Sequence, residues 1–239
     1  MTGYGDALAS SYERYKETAT LVLCERALFR RLTGDVTGLS AVDVACGTGY
    51  YTRDLRVRGA DPVTGIDLSP RMIELAEDRE RRERLGIAYA VGDGSALPDR
   101  GRYDLATAAY LFPYATDEET LAAMMASLRG CMHPGGRLVT LTVDPEFRAE
   151  PDLADYGWTA ARFSGRQVTM RFSGDPPADL TNTLWPRSTV VRVARAAGFT
   201  EMAWHPLEVP GEELERYGAG YWSALMENPF IEGFTAVAR

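Results

Sequence analysis

The sequence predicts an α/β fold: a mostly parallel sheet with helices on both faces, in one domain. Three observations carry this expectation. Short β-rich runs alternate strictly with helix-like stretches between residues 41 and 143, which implies right-handed βαβ crossovers. The rhythm breaks after Val143 into a stretch rich in Pro, Gly and aromatic residues, and resumes near residue 188. A chain of 239 residues can bury an ample core without disulfides or metals.

The N-terminal part reads as a helix from Leu8 to about Arg31, with apolar Leu21, Leu23, Cys24, Ala27, Leu28 and Leu32 set between charges. Gly34 and Gly38 end it. Predicted strands follow at Ala41–Ala45, Pro62–Ile66, Ile87–Val91, Asp104–Ala109 and Arg137–Val143. Between them lie helices at Tyr50–Arg58, at Pro70–Leu85 with Ser69 as N-cap, and at Glu118–Cys131 with Asp117 as N-cap. Within Asp144–Arg187 two alternating runs, Gln167–Phe172 and Leu180–Trp185, flank Gly174-Asp175-Pro176-Pro177, which predicts an antiparallel hairpin in an inserted cap. A helix Thr189–Ala197, capped by Ser188 and stopped by Gly198, precedes strands Phe199–Trp204 and Phe234–Ala238. The expected organisation is an N-terminal lid and helix (1–38), a core (39–143), a cap insertion (144–187) and a segment completing a seven-stranded sheet (188–239).

Net charge is −8, which argues against a protein that grips a phosphate backbone. No apolar run approaches the roughly 20 residues that span a bilayer, and the N-terminus lacks a secretion signal. The expectation is a cytoplasmic protein with a small-molecule partner, acting as monomer or homodimer, with neither nucleic acid nor membrane involved. The three cysteines are far apart, with no CxxC pair, and only His133 and His205 could join them, so no metal site is expected. Lys16 is the sole lysine, so any lysine-based chemistry has one candidate.

The stretch Ala41-Val42-Asp43-Val44-Ala45-Cys46-Gly47-Thr48-Gly49-Tyr50-Tyr51 reads as a buried strand running through a tight turn into a helix. Small residues there let backbone approach a ligand, and the helix N-terminus offers free N–H groups to an anionic part of it. Asp67 closes the second strand, where a carboxylate can accept both hydroxyls of a ribose. Asp93 follows the third, in place to accept from an adenine amino group. Either aspartate alone reads equally well as a cap of the next helix; in this order on successive strands they favour adenosine.

The ordered set DVACGTG, GIDLS, GDGSALP, YDLATAAYLFPY and MHPGGRL resembles the motif series of the class I S-adenosylmethionine (SAM)-dependent methyltransferases, over roughly residues 4–143. The resemblance implies a Rossmann-like fold, SAM as cofactor and S-adenosylhomocysteine (SAH) as product. It implies that Asp43 orients the turn of Ala45, Cys46, Gly47 and Gly49, and the methionine ammonium, with Tyr51 beside it. Asp67 would hold the ribose. Leu68 and Met72 would sandwich the adenine, and Gly92, Asp93, Gly94 and Ser95 would read its amino edge. Ala109 and Tyr110 would face the methionine end. One departure is Ala45, where the family often has its first Gly; Ala is tolerable there if φ stays negative. The N-terminal YGDALASSYERY looks like the lid of the small-molecule branch of the family, which would bring Tyr4, Tyr12 and Tyr15 to the methionine end and the substrate. The other reading is a surface amphipathic helix with ordinary core tyrosines. More narrowly, AAYLFPYA and GYWSALMENPFIEGFTAVA are similar to methyltransferases that N-methylate azapteridine antibiotics of the toxoflavin type, which implies a place in secondary metabolism and antibiotic biosynthesis.

Methyl transfer from a sulfonium is an in-line displacement. The cofactor arrives activated, so alignment is the protein's main task, and a base is needed only when the acceptor must first lose a proton. Tyr110 and His205 are the candidate catalytic groups, whereas His133 lies at the opposite end of the strands. Substrate contacts are expected from Phe112, Tyr114, Tyr156, Trp158, Trp185 and His205, an aromatic density that suits a flat heteroaromatic; the cap's own core would use the same residues. The stretch Ala-Ala-Tyr-Leu after the fourth strand lacks the (Asp/Asn)-Pro-Pro-Tyr pattern of nucleic-acid and protein amide methylation. Three alternatives stand beside this reading: a non-catalytic SAM- or SAH-binding accessory subunit, a nicotinamide-dependent oxidoreductase, which should show the GxGxxG that this turn lacks, and an RNA or protein methyltransferase.

Overall fold

The computed structural model describes residues 12–16, 18–97, 102–150, 153–173 and 177–239. Tyr4, placed in the lid by its sequence, lies outside them. A short helical turn at residues 12–16 precedes helix α1 (Leu21–Thr33), so the expected single helix is broken. The break at residues 19–20 lets Tyr15 and Lys16 turn inward while Leu21, Cys24 and Leu28 pack against the sheet.

Strand β1 (Ala41–Val44), helix α2 (Tyr50–Val57), β2 (Val63–Asp67), α3 (Pro70–Glu83), β3 (Ala88–Val91), β4 (Tyr103–Thr107), α4 (Glu118–Gly130) and β5 (Met132–Val143) follow in the expected alternation. Both N-caps hold: Ser69 accepts from the Met72 N–H and Asp117 from the Thr120 N–H. The cap carries β6 (Trp158–Ser164), β7 (Gln167–Phe172) and β8 (Ala178–Thr183). The predicted hairpin is thus present as β7–β8, with β6 added to make a three-stranded antiparallel sheet. Helix α5 (Arg187–Ala196) starts after Pro186, and Ser188 sits inside its first turn rather than capping it; the Pro186 carbonyl already accepts from the Thr189 and Val190 N–H groups, which starts the helix two residues earlier. Then come β9 (Phe199–Pro206), α6 (Gly211–Tyr217), α7 (Ala219–Glu227) and β10 (Ile231–Ala238).

The main sheet has seven strands in the order β3-β2-β1-β4-β5-β10-β9, with β10 antiparallel to both neighbours and the rest parallel. Two apolar layers cover it. On one face α1, α2, α7 and the cap bury Leu28, Leu55, Trp222 and Phe172; on the other α4 and α5 bury Met125, Leu128 and Val193. The chain reverses its strand order between β1 and β4, and the crevice at such a switch point, beyond the carboxyl ends of the strands, is where α/β sheets bind ligands. No helix among the described residues is long and apolar enough to cross a membrane.

Candidate active site

Backbone geometry builds the site at the tip of β1. Ala45 (φ 59°), Gly47 (φ 55°) and Gly49 (φ 82°) all lie in the left-handed region, which turns the chain sharply into α2. The condition under which Ala45 could replace glycine without cost is therefore not met: it has positive φ, a conformation that penalises a Cβ. At Gly49 a Cβ would also collide with the Tyr89 hydroxyl.

Hydrogen bonds tie three strand ends together. Asp67 Oδ2 accepts from the Gly47 N–H at 2.8 Å and Oδ1 from the Ser69 N–H at 2.8 Å, while the Asp67 carbonyl accepts from Gly92 N–H at 2.9 Å. Burial pushes the Asp67 carboxyl up, against the pull of those two N–H groups. Asp93 Oδ1 accepts from both the N–H and the hydroxyl of Ser95 at 2.8 Å, so it holds its own loop in shape. Gly94 lies against Leu111, which a Cβ would meet at 2.9 Å. Leu68 is 44% exposed beside Asp67, whereas Met72 is buried.

Asp43 sits deeper. It is 1% exposed, and its oxygens accept from Thr52 on α2 and Thr107 on β4, each at 2.7 Å. Burial, chiefly, pushes its carboxyl up to about 6. Its described contacts tie β1 to α2 and β4, and none of them reaches the crevice.

A small cavity opens between the N-terminal turn, the ends of β4 and β5 and the cap. Of the predicted residues, Tyr12, Tyr15, Tyr110, Tyr114 and Trp158 line it. Tyr110 is presented by a strained backbone, φ 63°, anchored by its N–H to Leu141 O at 2.7 Å. Its buried hydroxyl has no hydrogen-bond partner among the described residues. Burial first, and then the charge of Glu25, push that phenol well up, which keeps its proton on the hydroxyl. Trp158 Nε1 donates to Tyr15 Oη at 2.6 Å, locking cap and N-terminal turn together.

Four predicted substrate contacts lie elsewhere. Phe112 is buried in the opposite apolar layer. Trp185 donates its indole N–H to the Phe112 and Ala115 carbonyls, both at 3.2 Å, so it shapes the loop after β4. Tyr156 is buried and stacks on Trp222 at 5.6 Å. These three serve the packing that any inserted cap requires. His205 ends up away from the cavity because β10 lies between β5 and β9; its Nε2 is 3.0 Å from Thr235 Oγ1, and burial together with Arg31 lowers its pKa. His133 is exposed near the start of β5.

The cavity also contains residues that sequence reasoning passed over: Lys16, Glu25, Val143, Leu180, Asn182 and Phe230. Only Lys16 carried a signal, as the single lysine of the chain. Glu25 reads as one more charge on an amphipathic helix.

This strand order, with its antiparallel β10, is the Rossmann-like fold of solved methyltransferase structures. Residues 41–136 match the family model described as a methyltransferase domain, so the glycine turn, Asp67 and Asp93 lie inside the matched segment. The chain is 32% identical over 144 residues to a demethylmenaquinone methyltransferase of Lactococcus lactis, covering 57% of this chain and 55% of that protein. It is 42% identical over 82 residues to a magnesium-protoporphyrin O-methyltransferase of Rhodobacter capsulatus, covering 34% and 36%. The chain thus spans about half or less of the length of these curated relatives. A SAM-dependent methyltransferase from Mesorhizobium loti has a solved structure that covers 90% of this chain and 97% of its own, at 22% identity and a TM-score of 0.67, which is a likeness of fold.

The residues present fit SAM. A carboxylate stands at the β2 tip, the Gly92–Ser95 loop stands beside it, and an unpartnered buried hydroxyl faces the cavity at the end of β4.

Proposed function

We propose that this protein transfers the methyl group of SAM to a small molecule held under the cap. The observation that carries this reading is the bonding of three strand ends around Asp67, with Tyr110 at the end of β4 lining a cavity walled by aromatic side chains. SAM would lie across the strand tips with its ribose on Asp67, its adenine beside Leu68 and the Asp93 loop, and its methionine end toward Tyr110. The cofactor supplies an activated methyl group. The protein supplies alignment, worth ~7–11 kcal/mol where two reactants are held in line, and excludes water with Trp158, Tyr15 and the cap sheet.

The acceptor in this reading is a flat, nitrogen-bearing heteroaromatic of the kind made in secondary metabolism, including antibiotic biosynthesis; the aromatic walls of the cavity support it. The named acceptors of the two curated relatives, a demethylmenaquinone and a magnesium porphyrin, are also extended ring systems. A cytoplasmic monomer or homodimer completes the proposal. Tyr110 orients the acceptor through its hydroxyl, and His205, remote from the cavity, has no part in transfer.

Asp67→Ala should weaken SAH binding by about 1–3 kcal/mol, the cost of a lost charged hydrogen bond, as read by calorimetry. Unchanged affinity would remove Asp67 from the ribose. A chain that binds SAH yet methylates no candidate ring compound would be the accessory subunit instead.

A further inference from the structure

Lys16 Nζ lies 5.5 Å from the ring centroid of Tyr12, 5.3 Å from that of Tyr51 and 5.1 Å from that of Tyr110. It is ion-paired with Glu25, with both side chains almost fully buried at 5% and 3% exposure. Tyr51 Oη donates to the same Glu25 oxygen at 3.0 Å. Three electron-rich faces and one carboxylate therefore converge on a single ammonium, in the wall of the cavity where methyl transfer is proposed. Aromatic faces attract cations, more strongly when water is excluded.

Three of the four walls come from other parts of the molecule than the occupant; Tyr12 shares its turn with Lys16. Glu25 belongs to α1, Tyr51 to α2 and Tyr110 to the strained end of β4, all fixed by the core. Lys16 arrives on the short turn at residues 12–16, beyond the break at residues 19–20, on a flexible four-carbon stem. Every other Lys or Arg position in the chain is Arg. A planar guanidinium is wider and recognises partners through a flat fork, whereas a compact ammonium fills a rounded box.

We propose that the box of Tyr12, Tyr51, Tyr110 and Glu25 is a seat for a compact organic cation, ammonium or sulfonium, and that Lys16 is its internal occupant, displaced when a ligand delivers that charge. The cation comes either from the donor's sulfonium or from an amine on the acceptor. Only the sulfonium source rests on the methyl-transfer reading. Displacing Lys16 costs affinity, as any occupied seat does, and makes entry selective for ligands that bring a positive charge.

The single lysine makes the test direct. Full-length wild-type protein labelled with 13Cε,15Nζ-lysine gives one lysine side-chain signal in NMR, shifted by three ring currents while Lys16 is seated. SAM, SAH, choline and the neutral choline isostere 3,3-dimethylbutan-1-ol are then added separately. The expected result is that SAM, choline or both move the signal to the position of a solvated lysine, and that the neutral isostere leaves it in place. Movement with SAM but not SAH assigns the seat to the donor's sulfonium; movement with choline assigns it to the acceptor's ammonium. Lys16→Met should bind choline about tenfold more tightly than wild type, because no occupant competes. A signal that stays ring-shifted with both cations, or that moves equally with the neutral isostere, overturns the proposal. SAH calorimetry on the same sample reads the methyl-transfer proposal independently: its failure removes the sulfonium source and leaves the choline result decisive.

Discussion

Ala45 follows β1 and Tyr110 follows the neighbouring β4, and both hold φ values near +60° that an L side chain adopts at a cost. For Tyr110 the position has a use, because it aims an unpartnered hydroxyl at the cavity; non-glycine residues in that region concentrate at functional sites. For Ala45 the methyl group packs against the apolar layer that contains Val44 and Leu111, a small gain beside the left-handed penalty. Ala45→Gly should therefore raise stability by about 0.5–1 kcal/mol in urea unfolding, the left-handed penalty less the extra chain entropy of glycine. A lower midpoint would show that the methyl group packs usefully. Asp43 gives a second prediction. Burial raises its native pKa to about 6, above that of the unfolded chain, so between about pH 4 and 6 the native state binds more protons. Its stabilising contribution is present at the acid end and is lost as pH rises through 6. The stability of wild type relative to Asp43→Asn should fall across that window, by up to ~3 kcal/mol, and level off above it. Parallel curves would mean that Asp43 is ionised throughout. At this scale the glycine turn, Asp67 and Asp93 were legible because each follows a strand with a clear pattern. The Lys16–Glu25 pair was not, since its partners come from three segments that no spacing rule links.

Among the elements, the strands of the parallel core were legible to within a few residues, because buried β-rich runs bounded by turn residues leave little choice of register. The α6–α7 pair was missed: Gly211–Tyr217 is mostly charged, and its anchoring comes from Trp222 Nε1 donating to the Glu213 carbonyl at 3.0 Å, a tertiary bond. The cap was legible as a hairpin but not as three strands, since β6 keeps no clean alternation. Its aromatic residues divide between cavity and core in a way that composition does not reveal. Trp185 shows the consequence. With its indole N–H shared between two carbonyls of the loop after β4, of which that of Phe112 also accepts from the Ala115 N–H, Trp185→Phe should cost about 1–3 kcal/mol, the penalty for leaving the Ala115 carbonyl unmet, as read by denaturant unfolding. A smaller effect would mean that the loop holds its shape by other contacts.

For the molecule as a whole, a rigid α/β frame presents one crevice and a separate antiparallel sheet closes over it. The frame carries the residues assigned to SAM and also Tyr110; the cap and the N-terminal turn carry the remaining residues assigned to the acceptor. An acidic balance of −8 suits a small acceptor, and the protein should pass unretained over heparin at moderate salt, since retention there needs a basic face. Salt-sensitive retention would reopen nucleic acid as the acceptor. The most direct test is a calorimetric titration of the wild-type chain with SAH. One molecule of SAH should bind per chain with measurable heat, and the Asp67→Ala variant should bind it more weakly. Absence of heat with both SAH and SAM would contradict the account, because the tips of β1, β2 and β3 would then form a well-bonded turn and no binding site.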